Sequence, residues 1–454
     1  MPTTRLSALD SAFLAVETPT AHMHVGWAAV FDPPGSGAAP GFEEFREHIS
    51  SRVCRAPRYR QLLQPVPLGL NAPVWADDPS FDISRHVVRA DRGQLDDVVE
   101  ACMSEPLPRD RPLWQMRIAP RLDDDRIALV GKAHHCMVDG IAAVELTSML
   151  LDPEPDPPPS EPDRWRPGPT PRPVSLLAGG IADLARGPLE AATLPVRALS
   201  SPSRMADLAR RAGRALRAVG GSARPATPVD ALNRPNSPRR HLALLSRPVD
   251  DLRRIKGSFG TKLNDVVLAA SAGAVRRFLE RRGETPIPLK AMVPVSVRDS
   301  GKGGELGNQI SFMFIDLPCD EPDAARRLRR VHAETAERKQ AGEPEGANDV
   351  VQSIGLVPAP VRTAVSRFVA SPRTFNLVVS NIPRPMERLY LRGCELKEAY
   401  PVVPLADRHA LAIGVTNVGE QLCFGLYADR ESLPDADSVA RDLEESIDEL
   451  LVAS

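Results

Sequence analysis

Along the first 151 residues, apolar and polar positions alternate between strand-like and helix-like rhythms. His24–Phe31 reads as a strand, Phe42–Val53 as a helix, Leu95–Cys102 as a second helix, and the apolar run Ile127–Val130 as a strand leading to His134. Gly140–Leu151 reads as a further helix, with Ile141, Val144 and Leu151 on one side. The pattern then breaks at DPEPDPPPSEPDRWRPGPTPRP, where repeated prolines and mixed charges forbid regular structure and mark a linker. Helical composition returns over Val174–Val219. From Arg239 a second alternating block begins, with a helix over Asn264–Leu279 and strands at Leu289–Val297, Ile310–Leu317, Phe375–Ser380 and Leu422–Leu426. A closing helix places Val439, Leu443, Ile447 and Leu450 on one face. This is an α/β chain divided at 1–151, 152–238 and 239–454, in keeping with a length that favours two or three domains.

Composition narrows the function by exclusion. Hydrophobic residues make up 42% of the chain, ample for folded cores, and a formal net charge of -2 supplies none of the basic field that nucleic-acid binding needs. The six cysteines are scattered without a Cys-x-x-Cys pair, so neither a zinc site nor a disulfide framework is indicated and a reducing compartment fits. The N-terminus has no signal-peptide pattern and no run approaches the about 20 apolar residues of a membrane span, so the expected location is the cytosol or a membrane periphery. Met205–Val219 is cationic, with Arg204, Arg210, Arg211, Arg214 and Arg217 around a shallow alanine-rich stripe. It reads as a connecting helix with a solvated basic face, the alternative being a helix lying on an anionic membrane or lipid inclusion.

One segment demands a chemical explanation: Ala133-His134-His135-Cys136-Met137-Val138-Asp139-Gly140. Imidazole titrates nearest neutrality, so a positioned histidine can take a proton from an attacking hydroxyl, thiol or amine. Adjacent residues of an extended segment face opposite ways, so only one of the two rings can address a given cavity. Asp139 is either the N-cap of the helix that follows, or an ion-pair partner fixing the loop of His135, or both. Trp114 and Leu113 read most simply as core, Asn264 equally as an N-cap or as a donor, and His24 as a structural histidine with its hydrogen bonds satisfied.

Taken together, the motifs resemble the bacterial wax ester synthase/acyl-CoA:diacylglycerol acyltransferases. The likeness runs through LSALDSAFLAVETPTAHMHVG, Pro112-Leu113-Trp114, HHCMVDG, the Asn264-Asp265 pair, VPVSVR, GNQISFMFIDLP and SNIPRP, in that order. The resemblance implies two chloramphenicol-acetyltransferase-like domains with a tunnel between them. It implies His135 as general base, His134 and Gly140 supporting its loop, and Arg298 meeting Asp139. Asn264 is the candidate oxyanion donor, while Pro112, Leu113, Trp114, Asp265 and Asn308 are implied near the substrate tunnel. The implied reaction moves a long-chain acyl group from acyl-CoA, a co-substrate, to diacylglycerol or a long-chain alcohol, without metal or other cofactor. A condensation-type transferase acting on another acceptor and a weakly active lipid-binding homologue stand as alternatives. Pro108, Gln115, Arg384, Val403, Arg408 and Ala412 depart from the family pattern and bear on acceptor choice and level of activity.

Overall fold

The computed structural model describes residues 4–35, 38–53, 55–138, 149–158, 163–182, 225–296, 310–343, 359–382 and 387–454. Two six-stranded sheets carry the architecture. The first runs Tyr390–Leu391, Cys394–Val402, His24–Asp32, Ile127–His134, Trp114–Ala119, Val87–Arg89, antiparallel except for its last pair. The second runs Ile310–Leu317, Leu289–Ser296, Leu377–Ile382, Leu411–Val418, Gln421–Asp429, Arg240–Pro248, with Leu377–Ile382 parallel to both neighbours. A small sheet joins Thr4–Arg5, Val74–Asp77 and Gln61–Gln64.

Periodicity and structure agree on most elements. Helices occupy Phe42–Val53, Leu95–Met103, Leu263–Arg281 and Ala436–Val452. The strand expected from Phe375 begins at Leu377, because the Phe375 N–H turns back toward the Ser371 carbonyl at 3.4 Å. The expected cationic helix at Met205–Val219, and Gly140–Ser148 of the expected helix Gly140–Leu151, lie outside the described residues. Residues 239–454, expected as one unit, do not all stay with the second sheet: Tyr390–Leu391 and Cys394–Val402 extend the first.

His24–Asp32 explains how the two halves meet. Every residue of it but the last is buried, because each face has its own cover. Val25, Trp27, Ala29 and Phe31 pack with Phe45 and Ile49 of the Phe42–Val53 helix. On the other face Ala28 joins Ala128, Val130, Tyr400 and Val402 in a core shared with Leu242, Ala412, Cys423 and Tyr427 of the second sheet. Val403 and Ala412, two of the departures noted above, are buried in this shared core.

Contact between the sheets depends on two glycines paired across neighbouring strands. Gly414 lies opposite Gly425, and a Cβ on Gly425 would strike the Pro401 carbonyl oxygen of the crossing strand. A Cβ on Gly414 would stand 2.9 Å from the Pro401 Cβ. Gly425→Ala is therefore expected to destabilise the fold by about 1–3 kcal/mol, the usual cost of overpacking, read as a lowered urea midpoint. An unchanged midpoint would mean that the crossing strand yields freely.

Candidate active site

The histidine pair sits where the Ile127–His134 strand ends and turns. The His134 N–H donates to the Leu113 carbonyl at 2.9 Å, and the His135 N–H donates to the Met23 carbonyl at 2.9 Å. Met137 N–H closes the turn on the His134 carbonyl at 2.8 Å. Met23 has a left-handed backbone, φ 51°, so the chain bends sharply just before His24. Both edges of the motif strand are thus fixed up to its last residue, which gives the two rings defined and separate surroundings.

His134 is buried, and its environment assigns its tautomer. The Cys136 N–H donates to His134 Nδ1 at 3.1 Å, so in the neutral ring the proton belongs on Nε2. That atom lies 3.7 Å from Glu17 Oε2, an ion-pair distance longer than a hydrogen bond. Glu17 is also paired with Arg109. Burial lowers the His134 pKa against the opposing pull of Glu17. For Glu17, burial opposes ionisation, but His134 and Arg109 outweigh it and hold the carboxyl below its usual value. The motif alone did not single out Glu17 or Arg109.

His135 faces different company. Its ring is half-buried and stacks on Phe13 at 3.7 Å between centroids and 14° between planes. Among the described residues, its buried Nδ1 has no partner other than a contact to the residue's own backbone. Burial pushes the imidazole down to about 4, the backbone contact opposing and neighbouring His134 assisting. At neutral pH this ring is uncharged and able to accept a proton.

The remaining site candidates divide sharply. Asp139, Gly140, Arg298 and Asn308 lie outside the described residues, as does Arg384. Asn264 is half-buried in the first turn of the Leu263–Arg281 helix, and Lys262, not Asn264, holds the N-cap position. Its amide is therefore not a cap, and it has no partner among the described residues. Asp265 was expected along a tunnel, but its buried carboxylate is taken up elsewhere. It accepts from His332 Nδ1 at 2.7 Å, Thr335 Oγ1 at 2.8 Å and the Lys262 N–H at 3.0 Å, tying the helix start to the Ala324–Gln340 helix.

Leu113 and Trp114 stand where the residues themselves read most simply, in the core. Both are fully buried in the first core, where the indole N–H donates to the Tyr59 carbonyl at 2.7 Å and the ring stacks on His86 at 4.5 Å. Pro112 is buried beside them and accepts the Trp114 N–H at 2.9 Å. What this segment gives the site is the Leu113 carbonyl that pins His134. Among the described residues no cluster of three His, Cys, Asp or Glu is placed to hold a metal ion, and no helix is long and apolar enough to cross a membrane.

Comparison with known proteins covers both halves of the chain. The wax ester synthase/diacylglycerol acyltransferase catalytic domain matches residues 6–267, and the WS/DGAT C-terminal domain matches residues 306–451. This chain belongs to the wax ester synthase/diacylglycerol acyltransferase family. A Mycobacterium tuberculosis relative carrying the name diacylglycerol O-acyltransferase is 33% identical over 467 residues, covering 99% of this chain and 90% of its own. The wax ester synthase/diacylglycerol acyltransferase of Marinobacter aquaeolei VT8 superposes with a TM-score of 0.70 at 26% identity over 99% of both chains. The fold also matches a starter condensation domain of rhizomide synthetase, solved with C8-CoA and Leu-SNAC, at a TM-score of 0.59 and 14% identity over 99% of this chain and 94% of that one. The family membership makes the chain an acyltransferase with the two-domain fold that the motifs implied.

Proposed function

We propose that the chain moves a long-chain acyl group from acyl-CoA to the hydroxyl of diacylglycerol or of a long-chain alcohol, with His135 as general base. The observation that carries this reading is the placement of the His135 ring against Phe13 at the end of a pinned strand, where burial favours the neutral imidazole. An unactivated hydroxyl is a poor nucleophile, and its attack on a thioester needs a base aimed at its proton. His135 takes that proton as the hydroxyl oxygen bonds to the thioester carbon. The resulting oxyanion requires a donor, for which the Asn264 amide or a backbone N–H is suited. Collapse breaks the carbon–sulfur bond, and the coenzyme A thiolate leaves with the proton returned by the imidazolium. Asp139 and Arg298 are proposed to brace the loop.

Support for the acceptor comes from the family and its diacylglycerol O-acyltransferase relatives. The deciding experiment supplies purified protein with palmitoyl-CoA and, separately, dioleoylglycerol or hexadecanol, and identifies the lipid formed. Coenzyme A release coupled to triacylglycerol or wax ester is the expected result. No release with either acceptor overturns the reading.

Burial of His135 also sets the pH response. Its folded-state pKa of about 4 lies below the about 6.5 of a free imidazole, so between those values the unfolded chain binds a proton that the folded chain does not. Folding stability is accordingly full above about pH 6.5 and lost as pH falls toward 4. The lowered values of His22, His24 and His134 act in the same direction. For acyl transfer, kcat/KM is expected to hold down to about pH 5 and to fall near pH 4, measured while circular dichroism reports a folded chain. An acidic limb at 6.5 would contradict a buried, uncharged base.

A further inference from the structure

The helix inside LSALDSAFLAVETPTAHMHVG, the stretch that opens the family resemblance, is placed in an unusual way. Ala8–Val16 is apolar at every position but Asp10 and Ser11, yet none of its residues is buried. Phe13 and Leu14 rest against the first core without entering it. Burial of its own side chains therefore accounts for only part of its placement. Directed bonds supply the rest. Before the helix, the Leu6 N–H donates to the Pro73 carbonyl at 3.0 Å, and the Ser7 hydroxyl oxygen caps it by accepting the Asp10 N–H at 3.0 Å. At its far end Arg367 Nε, from the Ala359–Val369 helix, donates to the Ala15 carbonyl at 3.2 Å.

What this helix reaches is the histidine turn. Phe13 lies flat on the His135 ring, with centroids 3.7 Å apart and planes inclined by 14°. Glu17, the C-cap, follows four positions later and so lies on the same side of the helix. Its carboxylate stands 3.7 Å from His134 Nε2 and is paired with Arg109. The chain then runs through the bridged Thr18 and Ala21 to Met23, whose carbonyl accepts the His135 N–H at 2.9 Å. One segment thus holds His135 by its backbone and by its ring face, and sets a carboxylate beside the neighbouring ring.

A phenyl ring flat against an imidazole does two things. It hinders rotation of the imidazole, so Nδ1 stays against the residue's own backbone, in a contact that favours a proton there and leaves the lone pair on Nε2. Its electron-rich face also attracts a cation, so it interacts more strongly with imidazolium than with the neutral ring. An interaction that strengthens as charge develops raises kcat rather than lowering KM.

We infer that Phe13 is a positioning residue for acyl transfer, its ring fixing the direction of the His135 imidazole and stabilising the imidazolium formed when the base takes the hydroxyl proton. The inference rests on the acyl-transfer reading above. The proton stays on the ring that Phe13 covers until it passes to the coenzyme A thiolate, so the same stack serves both transfers.

The test compares Phe13→Leu, which fills similar space without a π face, with Phe13→Tyr, which keeps one. Each full-length variant is assayed with palmitoyl-CoA and dioleoylglycerol or hexadecanol. For Phe13→Leu, kcat is expected to fall about 5–30-fold, with the KM for palmitoyl-CoA and the melting temperature close to those of the unaltered protein. Phe13→Tyr is expected to keep most of kcat. A raised KM with kcat unchanged would make Phe13 a substrate contact and overturn the inference. Unchanged kinetics, or an equal loss in both variants with a lower melting temperature, would leave it a packing residue and overturn it as well. NMR of the His135 ring nitrogens at neutral pH gives a readout without turnover. A single tautomer, protonated on Nδ1, is expected in the unaltered protein and in Phe13→Tyr, and a mixture of both tautomers in Phe13→Leu. If Phe13→Leu also melts lower, these populations decide between the two roles, and an unmixed Phe13→Leu ring refutes positioning. If the unaltered protein acylates neither acceptor, the acyl-transfer reading fails, while the tautomers still show whether Phe13 orients the ring.

Discussion

His135→Ala is expected to lower acyl transfer from palmitoyl-CoA by about 10²–10⁴-fold, the usual worth of one positioned general base, with little change in the KM for acyl-CoA. The asymmetry follows from where the ring sits. Its backbone N–H, not its side chain, makes the bond to Met23 that holds the strand end, so alanine leaves the turn in place. Removing a half-buried imidazole stacked on Phe13 opens a gap, but it also removes the proton-binding mismatch that weakens folding below about pH 6.5. The variant should therefore be folded, less acid-sensitive and nearly inactive. His134→Ala should behave differently, because His134 Nδ1 accepts the Cys136 N–H within the turn itself and its loss disturbs the fold as well as the rate. Full activity in a folded His135→Ala protein would remove the general-base role.

Much of this architecture is legible along the chain because strand and helix rhythms are local properties. The His24 strand, the Leu263–Arg281 helix and the Ala436–Val452 helix all stand where their apolar spacing puts them. The histidine turn is legible for the same reason, since an apolar run followed by His-His and Asp-Gly marks a strand end. What no local pattern carries is the company a polar group keeps. Cys394–Val402 joins the first sheet because of its pairing with His24–Asp32, and sequence alternation cannot name the strand that a segment will choose. Asp265 was implied near the tunnel by its place in the Asn264-Asp265 pair, and its bonds to His332 and Thr335 come from another helix. His24 was expected to be satisfied, and only the fold shows that no described group hydrogen-bonds to its ring nitrogens. Glu17 and Arg109, which complete the surroundings of His134, come from two loops with no shared spacing.

The second large effect concerns the joint between the halves. Arg240→Leu is expected to reduce unfolding free energy by about 3–5 kcal/mol, the cost of stripping one partner from a buried ion pair. Asp429 is fully buried and accepts from Arg240 Nη1 at 3.0 Å, from the Ser237 N–H at 2.7 Å and from the Ser237 hydroxyl at 2.9 Å. Arg240 and Asp429 are also opposite one another in the second sheet, so the pair closes the end of the Arg240–Pro248 strand. The same guanidinium reaches across to the Thr20 carbonyl, two residues before His22, and so links the second sheet to the segment that precedes the His24–Asp32 strand. Leucine would leave Asp429 charged with only the neutral donors of Ser237 and the Ser432 N–H, and the Thr20 carbonyl without its donor. A double-mutant cycle separates the two losses: Asp429→Leu added to Arg240→Leu removes the orphaned charge and should restore part of the stability. The Thr20 link stays broken in both variants. Stability should therefore return only in part in the double variant, and full recovery would mean that the Thr20 link contributes nothing to the joint.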